Sequence, residues 1–404
     1  MSVAPAASQI RVPAGNPITY QIGQDVGHNG FAIFNANKSS WLYLDSNSNL
    51  IISGDTGDGQ QHFQIVSGSC GGYGCVDGNT GRSSNVRISY IEFNTQGAMA
   101  YFWNNGGNFA TGIEWDHNDM NETSDADHAL FWVLTGSGYG ANSIHDNVFT
   151  GLVTSGGFGA DAVQGGSGYT DMYNNTITMT VGSYTGTQHN DGYQVISKVQ
   201  YIRIWNNHFT NIGNYPVYIE GSASGSNGSN IMIYNNIMDT TNSGMQSSST
   251  RQAVAIGPHV GGLSWTNVLV ANNDIVDYGP SSCIDVRDPG PYSPPVTWTN
   301  VRVYNNICWN GAGNVIDSGV ITGNNITSNN GSHFASYINL SPSNNMRLLS
   351  TDTLFRDKGT TLSDFSIDKD GVTRPQGPAW DIGAYEYSGQ GAELPAPPQF
   401  LTVK

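Results

Sequence analysis

One phrase recurs through the chain: a stretch of alternating apolar residues, then Asn, then another apolar residue. It reads GIEWDHNDM, NSIHDNVF, DMYNNTI, IRIWNNHF, IMIYNNIM, VLVANNDI, VRVYNNIC and ITGNNIT. The shared residues are Asn118, Asn147, Asn175, Asn207, Asn236, Asn273, Asn306 and Asn325. Repetition at this period is the mark of a solenoid, in which each unit buries its apolar face only against its neighbours. Alternation of period two before each Asn marks a strand, and Asn tolerates the left-handed backbone a tight turn needs. Stacked coils would place each Asn above the last, where the amides can bond to one another along the axis. The fold class expected is therefore all-β, a single-stranded right-handed parallel β-helix with an internal Asn ladder.

A second strand follows each ladder Asn: MAYFW (99–103), HALFW (128–132), DAVQG (161–165), DGYQV (191–195), PVYIE (216–220), AVAIG (253–257), CIDVR (283–287) and NVIDS (314–318). Simple alternation predicts that the second and fourth positions point inward and the first, third and fifth outward. Periodicity is weaker before residue 85 and is lost after 330. The expected organisation is a cap with irregular first coils at 1–84, regular coils at 85–330, closing coils at 331–390 and a Pro-rich tail at 391–404.

The Asn-phased coils resemble the pectin-lyase-like β-helix superfamily, and RPQGPAWDIGAYEY (374–387) resembles a closing segment found in bacterial members. The resemblance implies the fold. It leaves activity open, because the superfamily includes lyases, hydrolases, epimerases, esterases, tailspikes and adhesins.

In the first outward column, His128, Asp161 and Asp191 fall on three consecutive rungs, with His189 two residues before Asp191. Neighbouring rungs lie about 4.8 Å apart. Stacked carboxylates repel unless a proton or a cation lies between them, so Asp161 and Asp191 suit an acid and base pair, or two calcium ligands. These four residues are the candidate catalytic groups. The remaining outward columns add Tyr101, Trp103, Trp132, Tyr193 and Tyr218, flat platforms for sugar rings. Glu220 and Arg287 are candidate subsite residues, the latter able to fork onto a carboxylate or to pair with Asp285 or Asp288. DHND (116–119) and DADH (125–128) have the density of a metal site, but Asp116 and His117 belong to the ladder strand and its turn, away from this column.

The expected activity is degradation of a polysaccharide, with hydrolysis through Asp161 and Asp191 ahead of calcium-dependent elimination on a uronate chain. A non-catalytic glycan-binding or fibre-like solenoid is the third reading. The polygalacturonase pattern is only partly met: its adjacent Asp-Asp pair is Asn190-Asp191 here, and its Gly-His-Gly and Arg-Ile-Lys are absent. No cofactor is required, although calcium fits the lyase reading. With 31 acidic and 15 basic residues, net −16, no clustered Lys and Arg are present to neutralise phosphates, so nucleic acid is not an expected partner. No run of eighteen apolar residues suggests a membrane span. MSVAPAASQI lacks a signal-peptide pattern, so the chain reads as mature or truncated, and its composition suits a secreted protein. Of the four cysteines, Cys70 and Cys75 in CGGYGC are close enough to bridge, whereas Cys283 and Cys308 fall on different sides of the repeat and are expected to be unpaired.

Overall fold

The computed structural model describes residues 18–389, apart from 24–29, 36–39, 45–47, 68–69, 71–73, 79–82, 103–109, 125–127, 154–160, 182–189, 198, 222–226, 240–251, 259–260, 278–281, 289, 291–293 and 329–345. Trp103, His189 and the tail at 391–404 lie outside the described residues. One coil shows the plan. Thr111–Asp116 lies in the first sheet, Asp119–Ser124 in the second and His128–Trp132 in the third, before Asn142–His145 returns to the first. Every strand pairs in parallel with its counterpart one coil away, giving sheets of eleven, eleven and ten strands. The stacking runs through the segment expected to hold a cap and irregular first coils, where Ile18–Gln21 pairs with Ser48–Ser53.

The turn from first to second sheet uses two residues with separate tasks. The ladder Asn is the second of them, and it is buried in each coil from Asn118 to Asn306. The left-handed backbone was expected at this Asn, but the structure places it one residue earlier. His117, Asp146, Asn174, Asn206, Asn235, Asn272, Asn305 and Asn324 all have φ between 53° and 57°. The separation has a physical cause: the ladder side chain must enter the core, and the preceding residue makes the reversal. Asn147 donates from its main-chain N and from Nδ2 to Asn175 Oδ1, both at 3.0 Å, and its Nδ2 also reaches Trp115 O at 2.9 Å. The same bonds repeat from Asn175 to Asn207 and onward to Asn325.

Inward columns from all three sheets form one continuous core. Cys70 and Cys75 are bonded, and so are Cys283 and Cys308, which corrects the expectation for the second pair. Cys283 precedes a third-sheet strand and Cys308 lies on a second-sheet strand, but both point inward and meet across the interior, 6.0 Å apart at Cα. A side chain at Gly311 would collide with both sulfurs.

Residues 346–387 leave the coil pattern and pack sideways over the corner between first and second sheets. Met346, Phe355, Ile382 and Tyr385 cover Ile237, Val276 and Ile307, while Leu362 and Trp380 cover Leu269 and Ala271. The left-handed asparagines form the seat. Asn235 donates to Ile367 O, Asn272 to Asp381 O and Gly383 O, and Asn305 to Thr360 O. Arg374 and Glu386, whose side chains are both fully buried, pair at 3.0 Å within this segment.

Candidate functional site

The third sheet departs from simple alternation. Each coil enters it with two consecutive inward residues, Met99 and Ala100, Ala129 and Leu130, Ala162 and Val163, then Ala253 and Val254. Between them, the Cβ of a residue replacing Gly192 would strike Phe209 of the core. HALFW therefore reads out, in, in, out, in. His128 sits directly opposite Asp161, and Asp191 opposite Tyr215. The outward column expected at Met99, Pro216, Ala253 and Cys283 is thus out of phase by one residue, whereas His128, Asp161 and Asp191 do share a column. Trp132 and Tyr193 are corrected for the same reason. Both are fully buried, Tyr193 between Val163 and Val217, so neither offers a face to a sugar ring. Their polar atoms face inward too, Trp132 donating from Nε1 to Thr170 Oγ1 at 3.1 Å.

Phe131, Gln164 and Gln194 take the outward place. Tyr101 and Phe131 stack at 4.5 Å, and His128 packs beside both rings at 5.7 and 5.3 Å. Gln164 donates to Gln194 Oε1 at 3.1 Å. Asp161 Oδ1 accepts the main-chain N–H of Asp191 at 2.7 Å, and both side chains are buried. Farther along, Tyr215 and Tyr218 stack at 4.5 Å. Burial pushes the Tyr218 phenol up, and the negative charges of Glu220 and Asp191 push the same way. Tyr215, Tyr218, Gln252, Asp285 and Arg287 line a small cleft of about 130 Å³. Arg287 Nε pairs with Asp285 at 3.0 Å, while its side chain stays 45% exposed. Burial raises the Asp285 carboxyl despite Arg287. Asp191 lies three rungs from Arg287 and Asp161 four, roughly 14 and 19 Å along the axis.

A second cluster stands on the outer face of the first sheet, where sequence reasoning assigned no function. Arg87 grips Asp116 through Nε at 2.8 Å and through a terminal nitrogen at 2.6 Å, and His117 Nδ1 lies 2.8 Å from Asp116 Oδ2. His145 faces Asp146 through Nδ1 at 2.8 Å and Glu114 through Nε2 at 3.2 Å. Burial alone would lower the His145 pKa, but Asp146 and Glu114 outweigh it and raise it to about 9. Burial would raise Asp116, but Arg87 and His117 hold it below the usual carboxylate range. From His145 onward the column becomes an aromatic stack through Tyr173, Trp205 and Tyr234, closed by Phe365. The available signal was a break in pattern. Turns that read Asn-Asn in later coils read His117-Asn118 and Asp146-Asn147 here, and the aromatic column gives way to Asp116.

Three parallel sheets, a two-residue turn and an internal Asn ladder define a single-stranded parallel β-helix, the architecture that the pectin-lyase-like resemblance implies. No protein-family model and no curated protein matches the chain. Among solved structures it is similar to pectate lyase Pel9A, with 14% identity and a TM-score of 0.38 over 92% of this chain and 86% of that one. It is also similar to the alginate lyase AlyGC, with 12% identity and a TM-score of 0.40 over 95% of this chain and 56% of that one. Likenesses this distant assign neither a site nor a reaction, so the functional reading rests on the chain's own geometry.

Proposed function

We propose that the protein degrades a polysaccharide at the outer wall of its third sheet, and that the reaction is elimination on a uronate-containing chain. The observation that carries this reading is the run of His128, Asp161 and Asp191 on consecutive rungs beside the Tyr101 and Phe131 rings. Hydrolysis by this pair would need one carboxyl kept protonated as the general acid. The wall supplies a base of another kind for a proton α to a carboxylate, the His128 imidazole beside Tyr101 and Phe131. Arg287, exposed and paired with Asp285 through Nε, suits a sugar carboxylate at a distal subsite.

The donor set fits a hard cation, because adjacent Asp161 and Asp191 offer only oxygen. Calcium bound there would neutralise the carboxylate of the uronate and acidify its α proton. The chain's own residues then divide the work: Asp161 and Asp191 would hold that cation, His128 takes the α proton while the glycosidic C4–O bond breaks and the departing oxygen takes up a proton from water, and Tyr218 and Glu220 orient the sugars that follow. The two disulfides fit an oxidising compartment and support secretion.

The test is a polysaccharide panel read for new reducing ends and for the ultraviolet absorbance of an unsaturated uronate, with and without a chelator. Ultraviolet product that disappears on chelation and in Asp161→Asn is the expected result. Reducing ends without ultraviolet product would replace elimination by hydrolysis. Binding without turnover across the panel would overturn the enzymatic reading.

A further inference from the structure

We propose that the outer face of the first sheet carries a second, separate site: a transition-metal site of the zinc class formed by Asp116, His117 and His145. One donor atom from each lies within 4.8 Å of the other two. Tetrahedral ligation at about 2.0–2.1 Å places donors roughly 3.3 Å apart, so closure asks for small rotations only. The imidazoles are already held in orientation, His117 stacked on Tyr90 at 4.6 Å and His145 on Tyr173 at 4.6 Å. Asp146 Oδ2, 2.8 Å from His145 Nδ1, is placed as the outer carboxylate that fixes a ligating imidazole and leaves Nε2 for the metal. Arg87 holds Asp116 from the other side.

Charge balance points the same way. Asp116, Glu114 and Asp146 bring three carboxylates to one obligate cation, Arg87. Two further positive charges complete the cluster, whether as two protons on the imidazoles or as one divalent ion. Two nitrogen donors with one carboxylate select zinc, nickel or copper over calcium. Glu114 Oε1, 3.2 Å from His145 Nε2 and on a side chain 41% exposed, is the natural fourth donor and the entry side.

The test uses the full-length protein, stripped with a chelator and titrated with Zn²⁺ against a chromophoric competitor. Expected is one tight equivalent, weakened a hundredfold or more by His145→Gln and by His117→Gln, with His62→Gln unchanged. Thermal melting of each variant in chelator separates loss of ligation from loss of fold, and half-buried His117 provides the variant least tied to packing. Absence of Zn²⁺ uptake, or uptake that persists in both cluster variants, would overturn the proposal.

Discussion

Replacing Asn207 by Ala tests the account of the ladder directly. Asn207 Oδ1 accepts the main-chain N–H of Asn175 at 3.0 Å and its Nδ2 at 2.9 Å, while Asn207 Nδ2 donates to Met172 O at 2.9 Å and to Asn236 Oδ1 at 3.1 Å. The substitution removes all four bonds at a site sealed from water. Losing a partner for a buried main-chain group costs about 1–3 kcal/mol. Asn175 Nδ2 keeps Ile144 O and Tyr173 O, so its share is small. A total of about 2–5 kcal/mol follows. The control is Asn267→Gly, at an exposed left-handed position with φ 57° where amides also stack, Asn267 to Asn230 at 3.3 Å. Water replaces those bonds and Gly keeps the backbone, so the cost there should stay within about 0.5 kcal/mol. Urea unfolding gives the free energies, and hydrogen exchange at Asn175 reports whether the loss is local, as a sum of neighbour interactions requires. A loss under about 1 kcal/mol for Asn207→Ala, or one matched by Asn267→Gly, would refute the reasoning.

Trp132→Ala should behave as a core truncation, costing about 3–5 kcal/mol and leaving glycan affinity intact below its melting point, whereas Phe131→Ala should weaken glycan binding with little change in melting. Opposite outcomes in affinity titrations would restore Trp132 to the wall. Asp274, fully buried and bonded to Ala384 N, has its pKa raised by burial from 3.8 to about 7. Its contribution to stability is therefore complete below pH 3.8 and is lost as pH rises through about 7. Asp274→Asn should stabilise the protein by up to about 4 kcal/mol above that range and by progressively less toward acid; a denaturation offset independent of pH would sink this. Replacing Cys283 and Cys308 together by Ser opens a cross-link of sequence separation 25 and should cost roughly 3–4 kcal/mol, read as a drop in melting temperature; an unchanged melting temperature would contradict this.

The coil plan was legible because its cause is local: the Asn phase and the alternation before it are written in consecutive residues. The wall was legible only in part. His128, Asp161 and Asp191 head their strands, so their column survives the misreading of phase that follows. Trp132 and Tyr193 come after the doubled inward step, which small residues such as Ala129, Ala162 and Gly192 permit but which no alternation rule announces. The Cys283–Cys308 bond was hidden because separation along the repeat says nothing about the interior, where different sheets converge. The first-sheet cluster was legible only in part: DHND shows metal-ligand density at Asp116 and His117, but His145 comes from the next coil, and its place beside Asp116 is set by the stacking rather than by local sequence.

The C-terminal segment also constrains the order in which the molecule can assemble. Its seat is made by Asn235, Asn272 and Asn305 of successive coils, and its bonds to Asn235 and Asn272 span 132 and 111 residues of chain. No part of that seat exists until those coils are stacked and their turns fixed, so the segment is a late reporter of upstream assembly rather than a nucleus. A chain emerging from its N-terminus builds the seat before the strap appears, and contacts of such separation are made slowly. Loosening the strap should therefore quicken unfolding far more than it slows folding.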